Sequence, residues 1–248
     1  MVIPKALVQI VFLIGLVLLG VGVYQRQLMP DYQTVLPSSL KEPLQTNTSK
    51  SPFKVTVKGV EYTIKPVADY EITGVIVSRH DTSAFWDYIH TETNDHINIA
   101  DLCIVWGQNL TSNNYKQLSY SNGQFTCNVS AKSEVVWSTF DQNALSNNHL
   151  LTDEVSIAKR VRKFKVGDQV RVKGYLAIYT HNSGMNFERG SSLVRTDTGN
   201  GACETIFVSQ AELLQPISPL PAWLRTAGWV LLALSTLAWF LFTGYGGD

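Results

Sequence analysis

Two long uncharged apolar runs, one near each end, constrain this chain more than anything between them. Ala6 to Tyr24 reads ALVQIVFLIGLVLLGVGVY, with no charge and one strongly polar side chain, Gln9. Thr226 to Tyr245 reads TAGWVLLALSTLAWFLFTGY, again uncharged. At about 1.5 Å rise per residue, runs of about 20 residues cover the roughly 30 Å hydrocarbon core of a bilayer. A cleaved signal peptide has a shorter apolar core and an A-x-A-like site. The first run is longer and passes into Gly-Val-Tyr-Gln-Arg, so residues 1–25 read as an uncleaved anchor. Trp223, Trp229, Trp239 and Tyr245 stand near the ends of the second run, as interfacial aromatics do. Pro216, Pro219 and Pro221 stop the preceding structure, and a second span is expected over residues 222–245.

Two spans place both termini on one side of the membrane and the residues between them on the other. Lys5 and the amino terminus favour a cytoplasmic N-terminus, whereas Arg26 and Arg225 pull the other way, so the charge rule is nearly tied. The intervening stretch is rich in Ser, Thr and Asn and holds all three cysteines. The expectation is a two-span protein of the bacterial inner membrane, with cytoplasmic termini and a periplasmic central domain. Charge argues against nucleic acid as a partner. Lys+Arg and Asp+Glu are 20 each, and a nucleic-acid binder carries a basic excess. The partners expected are the membrane and either a membrane protein or a second copy of the chain. No cofactor is implied.

Residues 26–52 are polar, carry Pro30, Pro37, Pro43 and Pro52, and lack an apolar period, which reads as a linker. Residues 53–215 read as the folded domain, mostly strands. Phe53 to Lys58 alternates and is followed by Gly59 and Tyr62-Thr-Ile, a hairpin pattern. Tyr70 to Ser78 is a longer strand with a bend expected at Gly74. Leu102–Trp106, Gln124–Val129, Val170–Tyr179 and Glu204–Val208 complete the set. One helix is expected over Thr152–Phe164, from Ile157, Val161 and Phe164 at helical spacing. Its start can be capped by Thr152 or Asp153, and its basic end, Lys159 to Lys165, complements the helix dipole without needing an anionic partner. A mainly β domain with one inserted helix suggests an OB-like Greek-key barrel. A β-sandwich is the alternative.

Four groups of residues can carry chemistry. If the strands holding Cys103 and Cys127 pair antiparallel about Tyr115, the two cysteines fall opposite one another, within bridging reach after small adjustment. That predicts a Cys103–Cys127 disulfide and leaves Cys203 unpaired. His80, Asp81, Asp87, His90, Asp95, His96 and Asp101 cluster in sequence but match no closed zinc spacing. They read as a polar loop pinned by Phe85, Trp86 and Tyr88, ahead of the metal-site reading. The string Leu145-Ser-Asn-Asn-His-Leu reads as a structured turn entering the helix, or as a pocket wall carrying Asn148 and His149. His149 shows no base or nucleophile partner at a known spacing. From Arg189 to Glu204 the chain is densely polar. There a tight turn is expected at Gly199–Gly201, and an Arg195–Asp197 pair is favoured over an anion held by Arg195.

The strings Asp101-Leu-Cys-Ile-Val-Trp-Gly, Ser146-Asn-Asn-His-Leu, Gly167-Asp-Gln-Val-Arg-Val-Lys-Gly-Tyr-Leu and Ser191 through Glu204 carry a resemblance. Over about Tyr70 to Leu214 the chain resembles an uncharacterised family of bacterial membrane-anchored proteins with no assigned activity. The resemblance implies an envelope setting and marks His149 and the Arg195–Glu204 segment as the place for a site. Taken together, the sequence favours a non-enzymatic membrane protein whose β domain binds or positions a partner in an envelope complex. Candidate ligand or partner residues are Asn148, His149, Arg189, Arg195, Asp197 and Glu204. One alternative is a membrane-tethered, metal-assisted hydrolase using His149 with His90 or His96. The other is a sensor of an anionic ligand or lipid through Arg195.

Overall fold

The computed structural model of the chain describes residues 4–26, 29–183, 187–197 and 202–243. In chain order the elements are helix α1 (Lys5–Arg26), strands β1 (Leu44–Thr46), β2 (Phe53–Val57) and β3 (Val60–Asp81), and helix α2 (Ile89–Glu92). Strand β4 (Asn98–Val105), helix α3 (Gln108–Thr111), strands β5 (Leu118–Asn122) and β6 (Cys127–Ala131), and helix α4 (Glu134–Ser138) follow. Then come strand β7 (Leu145–Leu151), helix α5 (Val155–Val161), strands β8 (Gln169–His181), β9 (Phe187–Arg189) and β10 (Glu204–Gln215), and helix α6 (Leu220–Ala238). The chain forms two compact units, the helical ends and Met29–Ile217.

In the helical unit, α1 and α6 are each long and apolar enough to cross a membrane. They pack backbone to backbone, because glycines leave nothing between them. A Cβ on Gly228 would come within 2.8 Å of the Leu19 amide nitrogen and 2.9 Å of the Gly15 carbonyl oxygen. Gly228, Leu232 and Ser235 are buried by this pairing, while Trp223 and Trp229 stay exposed. Helix α6 continues into a π-helical turn, Trp239–Thr243. Tyr245 of the expected span lies outside the described residues.

The second unit is mainly β. Its large mixed sheet runs β1-β3-β4-β7-β10-β8-β9, and β3 also pairs with β8. Strands β3, β4, β7, β10 and β8 therefore close into a ring. Every pairing in the ring is antiparallel except β7 with β10. Strand β3 makes closure possible by changing partner along its length, from β8 over Tyr62–Val75 to β4 over Val75–Asp81. The sequence suggested two strands with a bend at Gly74. The strand is continuous, and its register slips lie between Pro66 and Ala68 and between Ile76 and Ser78. Gly74 instead permits close approach, since a Cβ there would stand 2.5 Å from the Val105 carbonyl oxygen.

Side chains alternate across a strand, so the ring has two faces. Ile72, Ile76, Leu102, Ile104, Leu150, Val172 and Ile206 fill its interior, with Val161 and Phe164 packed on them. The outward residues of the same strands, such as Cys103, Leu151 and Phe207, belong to two further apolar clusters under the loops. Helix α5 is shorter than the expected Thr152–Phe164. The Thr152 amide still donates to the Ile97 carbonyl, which keeps that residue on the sheet edge. The helix begins only after the Thr152 hydroxyl has accepted the Glu154 amide.

The stretch expected to be a linker packs on the domain from Met29 onward. Gln169 accepts the Leu36 amide and donates to the Thr34 carbonyl, Glu42 accepts the Trp106 indole N–H, and β1 pairs with β3. These are polar and backbone contacts, which leave no apolar period in the sequence. The predicted Cys103–Cys127 disulfide is present, with a Cα separation of 5.9 Å. Its geometric premise does not hold, because β4 pairs with β3 and β7 while Cys127 belongs to the separate β5–β6 hairpin. The bridge staples that hairpin to the ring. Phe85, Trp86 and Tyr88, expected as aromatic pins of a polar loop, are exposed, and the Trp86 ring lies 4.7 Å from that of His80.

Candidate functional site

The site lies on the outward face of β4, β7 and β10. The Leu145–His149 string is no turn. It is strand β7, lying between β4 and β10. Register places Asp101 opposite His149 on one side and Thr205 opposite His149 on the other. Cys203, two residues before Thr205, reaches the same face at the start of β10. Asp101 and His149 are buried, and Cys203 is partly buried with a free thiol.

His149 Nδ1 lies 2.7 Å from Asp101 Oδ1. The same carboxylate accepts the Asn98 amide at 3.0 Å and the Phe125 backbone N–H at 3.2 Å. Burial alone would raise Asp101, but the His149 charge and these donors outweigh it and hold the carboxyl at about 2. Burial alone would likewise lower His149, but the facing carboxylate outweighs it and lifts the imidazole to about 9. The nearby Cys203 side chain raises the imidazole further. With Nδ1 on Asp101, Nε2 is the ring nitrogen left for a further partner. Asn147 Nδ2 donates to Cys203 Sγ at 3.5 Å.

The polar chain continues behind Asp101. Asn98 Nδ2 reaches His90 Nε2 at 3.1 Å, His90 Nδ1 lies 2.7 Å from Asp87 Oδ2, and His80 Nε2 lies 2.6 Å from that same oxygen. Both rings donate to Asp87, so His90 Nε2 is left as the acceptor for Asn98. Burial lowers the His90 pKa, which favours that neutral ring. An amide cannot relay a proton, so this chain orients Asp101 and does not conduct.

Phe125 covers the group. Its backbone is left-handed, at φ 74°. It is held there by its N–H to Asp101 and by its carbonyl, which accepts from Asn147 at 3.1 Å and from the Cys203 thiol at 3.8 Å. Its ring lies 4.3 Å from that of His90 and 5.9 Å from that of His149. Strained backbone of this kind is stored where surrounding structure fixes it, commonly at working sites.

Other candidates fall elsewhere. Asn148 neighbours His149 in sequence but points to the opposite face, where its amide donates to the Leu102 carbonyl and to Ser146. Arg195 does not pair with Asp197. It pairs with Glu204 and donates to the Tyr70 hydroxyl at 2.6 Å, while Asp197 accepts the Ser192 hydroxyl. Burial raises Glu204 to about 7 despite the guanidinium. The turn expected at Gly199–Gly201 lies outside the described residues. His80, Asp87 and His90 offer donor atoms within 4.8 Å of one another; His80 Nε2 and His90 Nδ1 already bond to Asp87 Oδ2, while His80 Nδ1 has no partner. His149 and His90 are separated by Asn98 and Asp101, and the His96 amide donates to the Tyr62 hydroxyl. No ion-binding set containing His149 is assembled among the described residues.

Sequence reasoning found His149 but missed Asp101 and Cys203 as its partners. A signal existed: Asp101, His149 and Cys203 each lie within one of the strings that carry the resemblance. Comparison with known protein families, with curated proteins and with solved structures returns no match.

Proposed function

We propose that this is a membrane-tethered thiol enzyme that transfers or hydrolyses acyl groups. Cys203 is the nucleophile, His149 the proton carrier and Asp101 the orienting carboxylate. The observation that carries this reading is the buried His149–Asp101 pair beside a free thiol, with Asp101, His149 and Cys203 all in contact with Phe125. An imidazolium beside a thiol is the pairing that yields a thiolate nucleophile. The Cys203 thiol gives its proton to solvent water, and the resulting thiolate sulfur bonds to the acyl carbon. The leaving group departs with the Nε2 proton of His149. Neutral His149 then takes a proton from water, the hydroxide oxygen attacks the thioester carbon, and the acid leaves as sulfur regains its starting state. The Asn147 amide, already beside the sulfur, supplies a donor for the developing oxyanion.

The domain reads as an OB-type Greek-key barrel. The ring closure, the single parallel pair β7–β10 and the position of α5 between β7 and β8 support this over a sandwich. The two apolar helices serve as the tether, and the Cys103–Cys127 disulfide supports an oxidising, periplasmic setting for the domain. One observation favours the partner-positioning reading instead: the exposed aromatic loop Phe85, Trp86 and Tyr88.

The test uses purified full-length chain and a panel of thioester and nitrophenyl-ester acyl donors, read by intact mass and peptide mapping. The expected result is an acyl adduct on Cys203 that turns over and is absent in Cys203→Ser. Absence of any adduct across the panel would favour the partner-positioning reading.

A further inference from the structure

Arg189 carries a buried guanidinium nitrogen without a hydrogen-bond partner. It ends strand β9, where it is paired in register with Tyr179 of β8. Its guanidinium lies over the site, 3.5 Å from the centroid of the Phe125 ring and 5.9 Å from that of Phe187. Among the described residues it makes no hydrogen bond or ion pair, and its buried Nη1 has no partner. Other arginines of the domain are answered, Arg79 by Asp81, Arg171 by Glu212 and Arg195 by Glu204, while Arg160 donates to the Ala211 carbonyl. A guanidinium has five donors in a planar fork that matches carboxylate or phosphate oxygens. Leaving a buried donor unpaired is costly, and aromatic stacking satisfies the face of the group but not its edge. The charge is felt at His149 and at Asp95, which places it within the electrostatic reach of the thiol site.

We propose that Arg189 is the substrate-recognition residue of the thiol site, and that the acyl substrate carries an anionic group, carboxylate or phosphate, which pairs with its free edge. The inference rests on the thiol-enzyme reading above and adds the substrate class. Phe125 links the two functions. Its carbonyl contacts the Cys203 thiol and its ring carries the guanidinium, so an anion seated on Arg189 places its neighbouring carbons one aromatic ring from the sulfur.

The test compares two alkylating agents of nearly equal size on the full-length protein, anionic iodoacetate and neutral iodoacetamide. An unassisted thiolate favours the neutral reagent, because like charges repel. The ratio of the two rates at Cys203 is read by peptide mapping, which cancels any change in sulfur reactivity common to both. The expected result is a preference of about tenfold for iodoacetate, the effect of one charge-assisted hydrogen bond. It should be lost in Arg189→Gln and kept in part in Arg189→Lys. Inorganic phosphate should slow iodoacetate more than iodoacetamide. Alkylation by both reagents with no anionic preference would overturn the role of Arg189 and leave the thiol enzyme standing. Failure of both reagents to modify Cys203 in the folded protein would overturn the thiol reading and this inference with it.

Discussion

Two carboxylates on opposite faces of the same three strands hold a cation, yet they shift in opposite directions. Asp101, facing outward, is held down at about 2. Glu204, facing into the ring, is raised to about 7. Both are almost wholly buried, so desolvation is common to them. What differs is the number of donors. Asp101 receives His149, Asn98 and the Phe125 amide on its two oxygens. Glu204 receives Arg195 on one oxygen, and its Oε2 has no partner. A buried charge is retained where each of its lone pairs is met, and is marginal where one is not. The outward face is therefore built to keep an ion pair beside a thiol. The inward face is a structural brace.

The comparison can be broken by substitution. Asp101→Asn leaves a buried imidazolium without its counter-charge and should cost about 3–5 kcal/mol of stability in urea unfolding. A loss below about 1 kcal/mol would mean that the pair is not charged. Removing the Cys103–Cys127 bridge, which closes a span of 24 residues, should cost about 3 kcal/mol. Because the bridge anchors the hairpin whose connecting residues include Phe125, the same change should speed alkylation of Cys203. Unaltered alkylation would show that the hairpin stays seated without its staple.

The pH dependence of stability sharpens the contrast. His149 is raised from 6.5 to about 9, so its contribution is complete below pH 6.5 and is lost as pH rises through about 9. Glu204 is raised from 4.5 to about 7, so its contribution is complete below pH 4.5 and is lost as pH rises through about 7. Asp101 acts in the other direction, losing its contribution only as pH falls through about 2. Thermal melts should thus show two falling steps with rising pH. His149→Gln should remove the upper one. Glu204→Gln should remove the lower one and cost only about 1–2 kcal/mol near neutrality, less than Asp101→Asn. Equal costs for the two carboxylate variants would contradict the difference drawn between the faces.

The parts legible in the sequence are those set by local pattern. The two membrane-length runs, the alternation of β3 and β8 and the helix face of Ile157, Val161 and Phe164 are written in consecutive residues. The site is not. Asp101, His149 and Cys203 are far apart in the chain and meet only through the registers of β4 with β7 and β7 with β10, which no local pattern specifies. The Ser146–His149 string was misread because buried polar residues on a strand look like a turn when their partners are unknown. The same ignorance of register paired Arg195 with nearby Asp197 and grouped Asn148 with His149, although strand parity sends neighbours to opposite faces. The Cys103–Cys127 bridge was found from spacing, but its strands belong to different sheets. Residues 29–52 show no regular apolar stripe because only scattered side chains, Met29, Val35 and Leu40, pack on the domain, and the rest docks through Gln169, Glu42 and backbone.

The most direct test of the central claim is the rate of Cys203 alkylation by iodoacetamide at pH 7 in the intact protein, wild type against His149→Gln. If His149 activates the thiol, the variant should react roughly 100-fold more slowly, the lower end of what a positioned acid–base group contributes. Equal rates in the two proteins would contradict a working Cys203–His149–Asp101 site.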